Sequence, residues 1–414
     1  MTYITGKMTM GISGQTVSTD QRKYDIDPDI KFLDEALNAG SFYFAIQGPR
    51  TKPKKKVSAD STFKCFEKEA YGDTGYLNGA ILAADTAINI DDGAAGALYA
   101  IKPYDIIMLT NHASGAWELI LVLTLDDNAT PTQIATCTRN FGNQAAASDW
   151  DDNTQFVILE NLSKEDSSNW NAAGTWQGDR LLKSVLAGAL TNYTGTIKTP
   201  FGGTRRALKT ILQTGKSWDE LKKEAWILHT KQCSKMLLFS QAKAETTYGR
   251  TAPDGLISAI KGRGGITDHI GGNWSIPALM EFMEQLFAKD PGATKVALCS
   301  AIALSAFDYW KKGMLQMKSS EEFMGLKVGE FGTSHGNLIL IRDQNLKGPW
   351  AGTMVAYDPN KVTYRYFQDD DTHVETNIQG NEDHGRIDEY LSDIGIQVDD
   401  AACHGLVTGI VGYI

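Results

Sequence analysis

Ser217-Trp218-Asp219-Glu220 opens the best-marked element of this 414-residue chain. An S-x-x-E run lets the serine hydroxyl and the glutamate carboxylate satisfy amide hydrogens that a first helical turn leaves unpaired. Leu221, Ala225, Leu228, Met236 and Phe239 follow at intervals of three, four and their multiples, and neither Gly nor Pro intervenes before Gly249. The spacing predicts a helix over 217–244, about 25 residues and about 40 Å long at 1.5 Å per residue. A rod of that length is a strut, and the rest of the fold has to be built along it.

What precedes the strut is unlike a compact catalytic domain. Residues 1–30 are polar and rich in Gly, Thr and Asp, the composition of an extended arm. Phe32, Leu33, Ala36 and Leu37 form one amphipathic turn before the apolar patch Phe42-Tyr43-Phe44-Ala45-Ile46. Residues 49–60 are basic and broken by proline, and 62–67 alternate as a strand does before the turn Tyr71-Gly72-Asp73. From about 80 to 160, short β-type runs (AILAADTAINI, YDIIMLTN, WELILVLTL, QIATCTRNF, TQFVILENL) are separated by Asp-, Asn- and Gly-rich turns. Strands at this spacing point to a small β-sandwich or barrel. Residues 171–215 are mixed, with a short helix expected around Gly178–Leu190.

Beyond the strut, 249–275 is glycine-rich loop around one short apolar turn. Pro277–Ala288 reads as an amphipathic helix, KVALCSAI as a buried strand, ALSAFDYWKKG as a helix and NLILIRD as a strand. The last sixty residues alternate in β fashion, and no internal repeat is visible.

Charge and cysteine usage narrow the function. The net charge is −10, whereas a free-standing nucleic-acid binder carries a basic excess to neutralise phosphates. Any nucleic acid would be faced without being gripped. Cys65, Cys137, Cys233, Cys299 and Cys403 are odd in number, widely spaced and free of a CxxC pair, so they read as reduced, mostly buried thiols. The opening residues lack the apolar stretch of a secretory signal, and no run of about 18 apolar residues offers a membrane span. Synthesis and folding in the cytoplasm are expected.

Several motifs tempt and fail. Gly215-Lys216-Ser217 resembles the end of a phosphate loop, but the position for its first glycine is Thr210, so the helix-cap reading stands. Gly262-Arg263-Gly264-Gly265 fits no dinucleotide fingerprint and reads as a flexible loop. Asp369-Asp370-Asp371-Thr372-His373 with Glu375 matches no calcium-loop spacing and reads as a solvated acidic turn. His229, His269, His335, His384 and His404 make no HExxH pair, and no serine sits in a GxSxG elbow. No catalytic residue, cofactor site or metal site is therefore expected, and the chain is not read as an enzyme.

At this point the chain resembles the Hong Kong 97-type major capsid proteins of tailed bacteriophages, in their group with a large insertion. The resemblance rests on KFLDEALNAGSFYF with TFKCFEKEAYGD, on the YDIIMLTN…LILVL…TRNFGN cadence, on the long helix, and on EFGTSHGNLILIRDQNL…DEYLSDIGIQVDDAACHGLVTGI. It implies an α+β capsid fold with an N-terminal arm over 1–48, an E-loop over 49–79 and a β-rich insertion over 80–165. A peripheral domain with its spine helix would cover 166–262, an axial domain 263–355, and returning strands 356–414. It further implies self-assembly into hexamers and pentamers of an icosahedral head enclosing double-stranded DNA. Portal, scaffolding or decoration proteins would be partners, and no membrane would be involved. No N-terminal scaffolding extension is visible, so removal of a long leader is not expected.

An arm and a loop with few contacts of their own do not offset their ordering entropy, so Phe42–Ile46 and the 62–67 strand are expected to need a neighbouring copy. The subunit-contact residues would then be Phe42, Phe44, Arg50, Lys54, Lys55, Lys56, Phe63 and Glu67, with Arg205, Arg206 and Lys209 facing the interior. Two alternatives stay open: an encapsulin-like compartment shell, and a carbohydrate-binding surface protein. The latter would use Tyr99, Trp117, Trp150, Trp170 and Trp176 as stacking faces.

Overall fold

The chain divides into two units, 66–189 being inserted between 1–65 and 190–414 of the other. The structure, a computed structural model, describes residues 41–47, 54–68, 73–90, 101, 103–111, 115–126, 133–142, 148–161, 188–210, 217–245, 249–311, 318–323 and 326–414. Residues 1–40 of the arm expected over 1–48, Arg50, and most of the helix expected at 178–190 lie outside these residues.

Helix α1 (Ser41–Gln47) and strands β1 (Lys54–Ser58) and β2 (Thr62–Glu67) lead into the inserted unit. Its strands are β3 (Thr74–Tyr76), β4 (Ile88–Asn89), β5 (Asp105–Asn111), β6 (Ala116–Asp126), β7 (Gln133–Thr138) and β8 (Gln155–Asn161). The chain returns through β9 (Gly188–Tyr193), which pairs with β2, so residues 188–190 are strand rather than the expected helix. Then come β10 (Gly195–Thr204), α2 (Arg205–Lys209), the strut α3 (Ser217–Phe239), β11 (Lys243–Ala244) and β12 (Thr251–Ala252). Next are α4 (Leu256–Gly262), β13 (Ile266–Trp274), α5 (Ile276–Phe287), β14 (Thr294–Cys299) and α6 (Ala301–Lys311). They are followed by β15 (Lys318–Phe323), β16 (Leu326–Gly332), β17 (Asn337–Arg342) and β18 (Met354–Tyr357). The last are β19 (Val362–Phe367), β20 (His373–Glu375), β21 (Gly385–Val398) and β22 (Gly405–Tyr413).

The inserted unit is one antiparallel sheet in the order β3-β8-β5-β6-β7-β4. A bridge between Leu77 and Ile90, with Asn78 N–H donating to the Asn89 carbonyl at 3.0 Å, joins its first and last strands. The two ends of the sheet are bridged there in the manner of a small barrel, one of the two forms, sandwich or barrel, expected of the run of short strands. Inward residues alternate as the pleat requires: Ile107, Leu109, Ile120, Val122, Ile134 and Phe156 are all buried. One charged pair is buried with them. Glu118 accepts from Arg139 Nε at 2.7 Å, Arg139 Nη2 at 3.0 Å and Trp150 Nε1 at 2.6 Å. Burial alone would raise the Glu118 carboxyl, but the Arg139 and Trp150 hydrogen bonds outweigh it and hold the pKa low.

In the other unit, β21 is central to a five-stranded sheet. Its 14 residues pair with all of β10 on one side and with β20 and β19 on the other, and β1 adds in parallel to β19. The strut packs on β10, β21, α1 and α4. It stops at Phe239, short of the expected Ala244, because the chain crosses its end at Gly255. Gly255 N–H donates to the Ser240 carbonyl at 2.8 Å, and a Cβ there would sit 2.8 Å from Ser240 N.

A seven-stranded sheet, β13-β22-β18-β14-β17-β16-β15, forms the rest. Val296 and Leu298 of β14 enter the core beneath the strut, while Ala297 and Cys299 enter a second core with α5 and α6. Burial on both faces explains why 296–299 of this strand are uniformly apolar, while Lys295 before them is buried only because its Nζ donates to the Leu286 and Cys403 carbonyls.

Helix α1 corrects an expectation. Phe42 is fully buried and Tyr43, Ala45 and Ile46 nearly so, all in the core of their own chain. Phe42 meets the Tyr357 ring edge-on at 5.7 Å. The patch needs no neighbouring copy to cover it, because a helix places these side chains on a shared core that sequence distance conceals.

A line of buried hydrogen bonds ties α1 to the sheet and strut. Tyr43 Oη lies 2.7 Å from Thr372 Oγ1, which lies 2.7 Å from Ser392 Oγ. Ser392 is 2.7 Å from His229 Nε2, and His229 Nδ1 is 2.9 Å from Thr199 Oγ1. Thr199 donates to Gln232 Oε1 at 3.0 Å, so it accepts from His229 Nδ1–H, and each hydroxyl up the line donates to the next. His229 is thereby held as the neutral Nδ1–H tautomer, and burial lowers its pKa to about 4. Burial likewise lowers His404 to about 4.

Both imidazoles take up a proton in the unfolded chain near pH 6.5 but not in the folded one until about pH 4. Their contribution is full above pH 6.5 and is lost as pH falls toward 4, on the order of 3 kcal/mol for each. Urea unfolding of wild type and His229→Gln between pH 7.5 and 4.5 checks this: the variant's stability should fall less steeply with acid.

Candidate assembly surface

A strand at the edge of a sheet presents unpaired backbone groups on one side, and its composition decides what can approach it. Strand β1 is such an edge. Lys54 to Ser58 pair with Thr363 to Phe367 of β19 in parallel register. Lys54 Nζ donates to the Asn360 carbonyl. Lys55 Nζ lies 3.3 Å from Asp371 Oδ2 and 5.3 Å from the centre of the Tyr364 ring. Lys56 and Val57 are exposed, and Ser58 turns inward, donating to the Asp60 carbonyl at 2.6 Å.

Asp371 anchors this arrangement. Besides Lys55, it accepts from the Tyr364 hydroxyl at 2.9 Å and from the Thr372 amide at 2.8 Å. Burial first, then the nearby Tyr43 and Asp371, pushes the Tyr364 hydroxyl well above its ordinary range, so it remains a donor. The acidic run 369–371 is therefore more than a solvated turn. Among the described residues, no group of three or more His, Cys, Asp or Glu side chains is placed to hold a metal.

Strand β2 is anchored through Phe63. Its ring is buried beneath the Arg365 guanidinium, 5.0 Å from the ring centre, and Arg365 donates from Nε to Gln397 Oε1 at 2.9 Å. Burial lowers the Arg365 pKa. Lys64 and Phe66 point outward, Phe66 at 70% exposure, while Glu67 is half-buried.

Of the expected contact residues, Lys54, Lys55 and Lys56 share one exposed edge. Phe63 is committed to its own chain and Phe42 to the core; Phe44 is half-buried against that core. Sequence reasoning missed Val57, Lys64 and Phe66, which the alternation of 62–67 could have revealed once Phe63 was known to point inward. Arg205, Arg206 and Lys209 are exposed on α2, capped by Thr204, which accepts from Ala207 N–H at 3.3 Å.

The rejected motifs can also be placed. Ser217 begins α3, in keeping with a helix start rather than a phosphate loop. The 262–265 segment is a tight turn between α4 and β13. Gly264 has φ +74°, Gly265 lies too close to Ile260 for any Cβ, and Arg263 donates to Asp254 Oδ2 at 2.8 Å. Trp150 is buried on Glu118 and cannot stack on a sugar, whereas Trp117 is 61% exposed. Tyr99, Trp170 and Trp176 lie outside the described residues. Cys137, Cys233, Cys299 and Cys403 are buried and Cys65 half-buried, all as free thiols. No helix among the described residues is long and apolar enough to cross a membrane.

A model of the family described as SU10 major capsid protein matches residues 98–411. Among solved structures, the chain is similar to the capsid of Myoviridae phage XM1 at 9% identity. That match covers 96% of this chain and 99% of the other, with a TM-score of 0.44. Similarity to the cyanophage A-1(L) capsid is at 10% identity, over 57% of this chain and 84% of that one, with a TM-score of 0.40. An encapsulin of Synechococcus elongatus is similar at 12% identity, over 55% and 78%, with a TM-score of 0.40. No curated protein matches the chain.

If Asp371 anchors β1, Asp371→Ala should loosen the edge without unfolding the chain. Trypsin cleavage after Lys54, Lys55 or Lys56 should then quicken about tenfold, the equivalent of about 1.4 kcal/mol of local opening. Timed digestion with mass spectrometry reads this directly.

Proposed function

The chain belongs to the SU10 major capsid protein family, and from that membership we propose that it builds a closed icosahedral phage head from hexamers and pentamers of itself. Self-association into a capsid and a place in the virion come with the family. The proposal adds that the head encloses double-stranded DNA, that assembly takes place in the host cytoplasm, and that portal, scaffolding or decoration proteins take part. The role is structural rather than enzymatic. The observation that carries this reading is the reach of the family match, which takes in most of the inserted barrel, the strut and all of the later strands.

The parts take natural roles within a shell. We assign the strut and the five-stranded sheet to the peripheral domain, the seven-stranded sheet to the axial domain, and the β1–β2 segment to the loop that reaches a neighbour. Lys54, Lys55 and Lys56 give a chain of net charge −10 a basic edge to set against an acidic surface of the next copy. Outside residues 66–189 the chain is close to neutral, which lets the inner wall face DNA without binding it tightly.

Expression of the full chain, alone and with the scaffolding and portal proteins of its own phage, tests the reading. Closed particles by negative-stain microscopy are expected. A chain that remains monomeric in both conditions would overturn it. Lys56→Glu combined with Lys64→Glu should keep the wild-type circular dichroism and melting temperature while particle yield drops about tenfold. Wild-type yield from that variant would remove β1 from the contact.

A further inference from the structure

The inserted unit carries the whole negative charge of the chain and slightly more. Residues 66–189 hold 17 Asp and Glu against six Lys and Arg, a net charge of −11 where the whole chain has −10. Yet one side of its barrel shows no charged side chain among the described residues. Strand β5 lies between β8 and β6, with Met108 opposite Val157 on one side and Leu119 on the other. Residues on the inward face of these strands are buried, as at Leu109 and Phe156, so Met108, Val157 and Leu119 point outward. The other outward positions whose side chains are described are Ile106, Thr110, Trp117, Leu121, Leu123, Thr124, Gln155 and Leu159, none of them charged. Trp117, Leu123 and Leu159 are exposed, and Ile106, Met108, Leu119, Leu121 and Val157 are half-buried. The outside of a small antiparallel barrel is ordinarily polar, and an apolar patch on it marks an interaction site.

We propose that this face of the inserted barrel packs against the same face of a second copy of this chain within the assembled shell. The inference rests on the capsid reading and deepens it by naming a contact. Three features select the occupant. Two units of net charge −11 repel, and an uncharged face is where they can meet without opposing or burying a carboxylate. A foreign partner attracted by the unit's acidity would need charges to pair with, and this face offers none. Size is the third feature. Three strands about 4.8 Å apart present a patch on the order of 300 Å², well under the roughly 800 Å² per partner of an independent complex. Such a contact fails between free monomers and holds where a shell already brings copies together. Like faces meeting in this way form an isologous, two-fold contact.

Cross-linking in assembled particles tests it. In a Cys65→Ser background, Met108→Cys and Leu119→Cys are introduced singly into the full chain, and particles are oxidised and run on a non-reducing gel. At least one should give a disulfide-linked dimer. Intact particles with no dimer from either variant overturn the inference and leave the capsid reading standing, whereas a wild-type chain that never assembles overturns both. Trp117→Lys, which replaces an exposed residue, should lower particle yield at least tenfold at low salt, with Trp117→Phe restoring it; unchanged yield counts against the contact. Salt gives the last discrimination. Dimer formation between like-charged copies, scored in particles that remain intact, should rise from 50 to 500 mM NaCl as repulsion is screened, and a fall in intact particles over that range counts against the contact.

Discussion

The line Tyr43–Thr372–Ser392–His229–Thr199, buried at its centre, is the constraint on which the rest of the larger unit depends. It joins α1, the segment before β20, β21, the strut and β10 through groups that have little water to fall back on. Each donor has one acceptor, so removing or turning a single member leaves a buried polar group unsatisfied at about 1–3 kcal/mol. Apolar packing alone would tolerate several placements of a seven-residue helix against a sheet. A directional line of hydroxyls tolerates one. Thr372 also follows Asp371 directly, so the network that fixes the core fixes the carboxylate that holds Lys55 and, with it, the basic edge of β1. The fold and the exposed strand are thus one mechanical system.

This dependence explains which elements were readable in advance. The strut, α5, α6, β14, β17 and the later strands were legible because their periodicity is local: a 3.6-residue stripe or a run buried on both faces writes itself into adjacent residues. Helix α1 was misjudged because its partner Tyr357 lies more than 300 positions away, and nothing in Phe42–Ile46 encodes that meeting. The pairing of β1 was invisible for the same reason. Lys54, Lys55 and Lys56 have no strand-like alternation, and what makes them a strand is the open edge of β19 and a carboxylate from a distant turn. Barrel closure through Leu77 and Ile90 was foreseen only as a class, since register is set by bulges and turns that leave little trace in sequence.

The candidate contact surfaces were half legible. Basic residues at 54–56 stand out in any reading of charge, but only the structure divides 62–67 into an anchored Phe63 and an outward Lys64 and Phe66. The barrel face was missed altogether. Outward Leu119 and Leu121 alternate with inward Ile120 and Val122, so β6 reads as a continuous apolar run, and such a run says only that it is covered on both sides. It does not say that one cover is a different molecule.

Assembly of an acidic chain poses a balance that the two surfaces resolve differently. Every approach of two copies works against their net charge, so attraction has to come from places where charge is either reversed or missing. The β1 edge reverses it, with a reach set by the Debye length, about 8 Å in physiological salt. The barrel face lacks it, and its attraction acts only on contact. The first kind guides copies together and weakens with added salt; the second holds them once placed and does not. A shell that used only basic edges would loosen as ionic strength rose, and one that used only apolar faces would aggregate without register. Keeping each surface too small to bind alone leaves closure to the sum of many contacts, so a particle forms cooperatively or not at all.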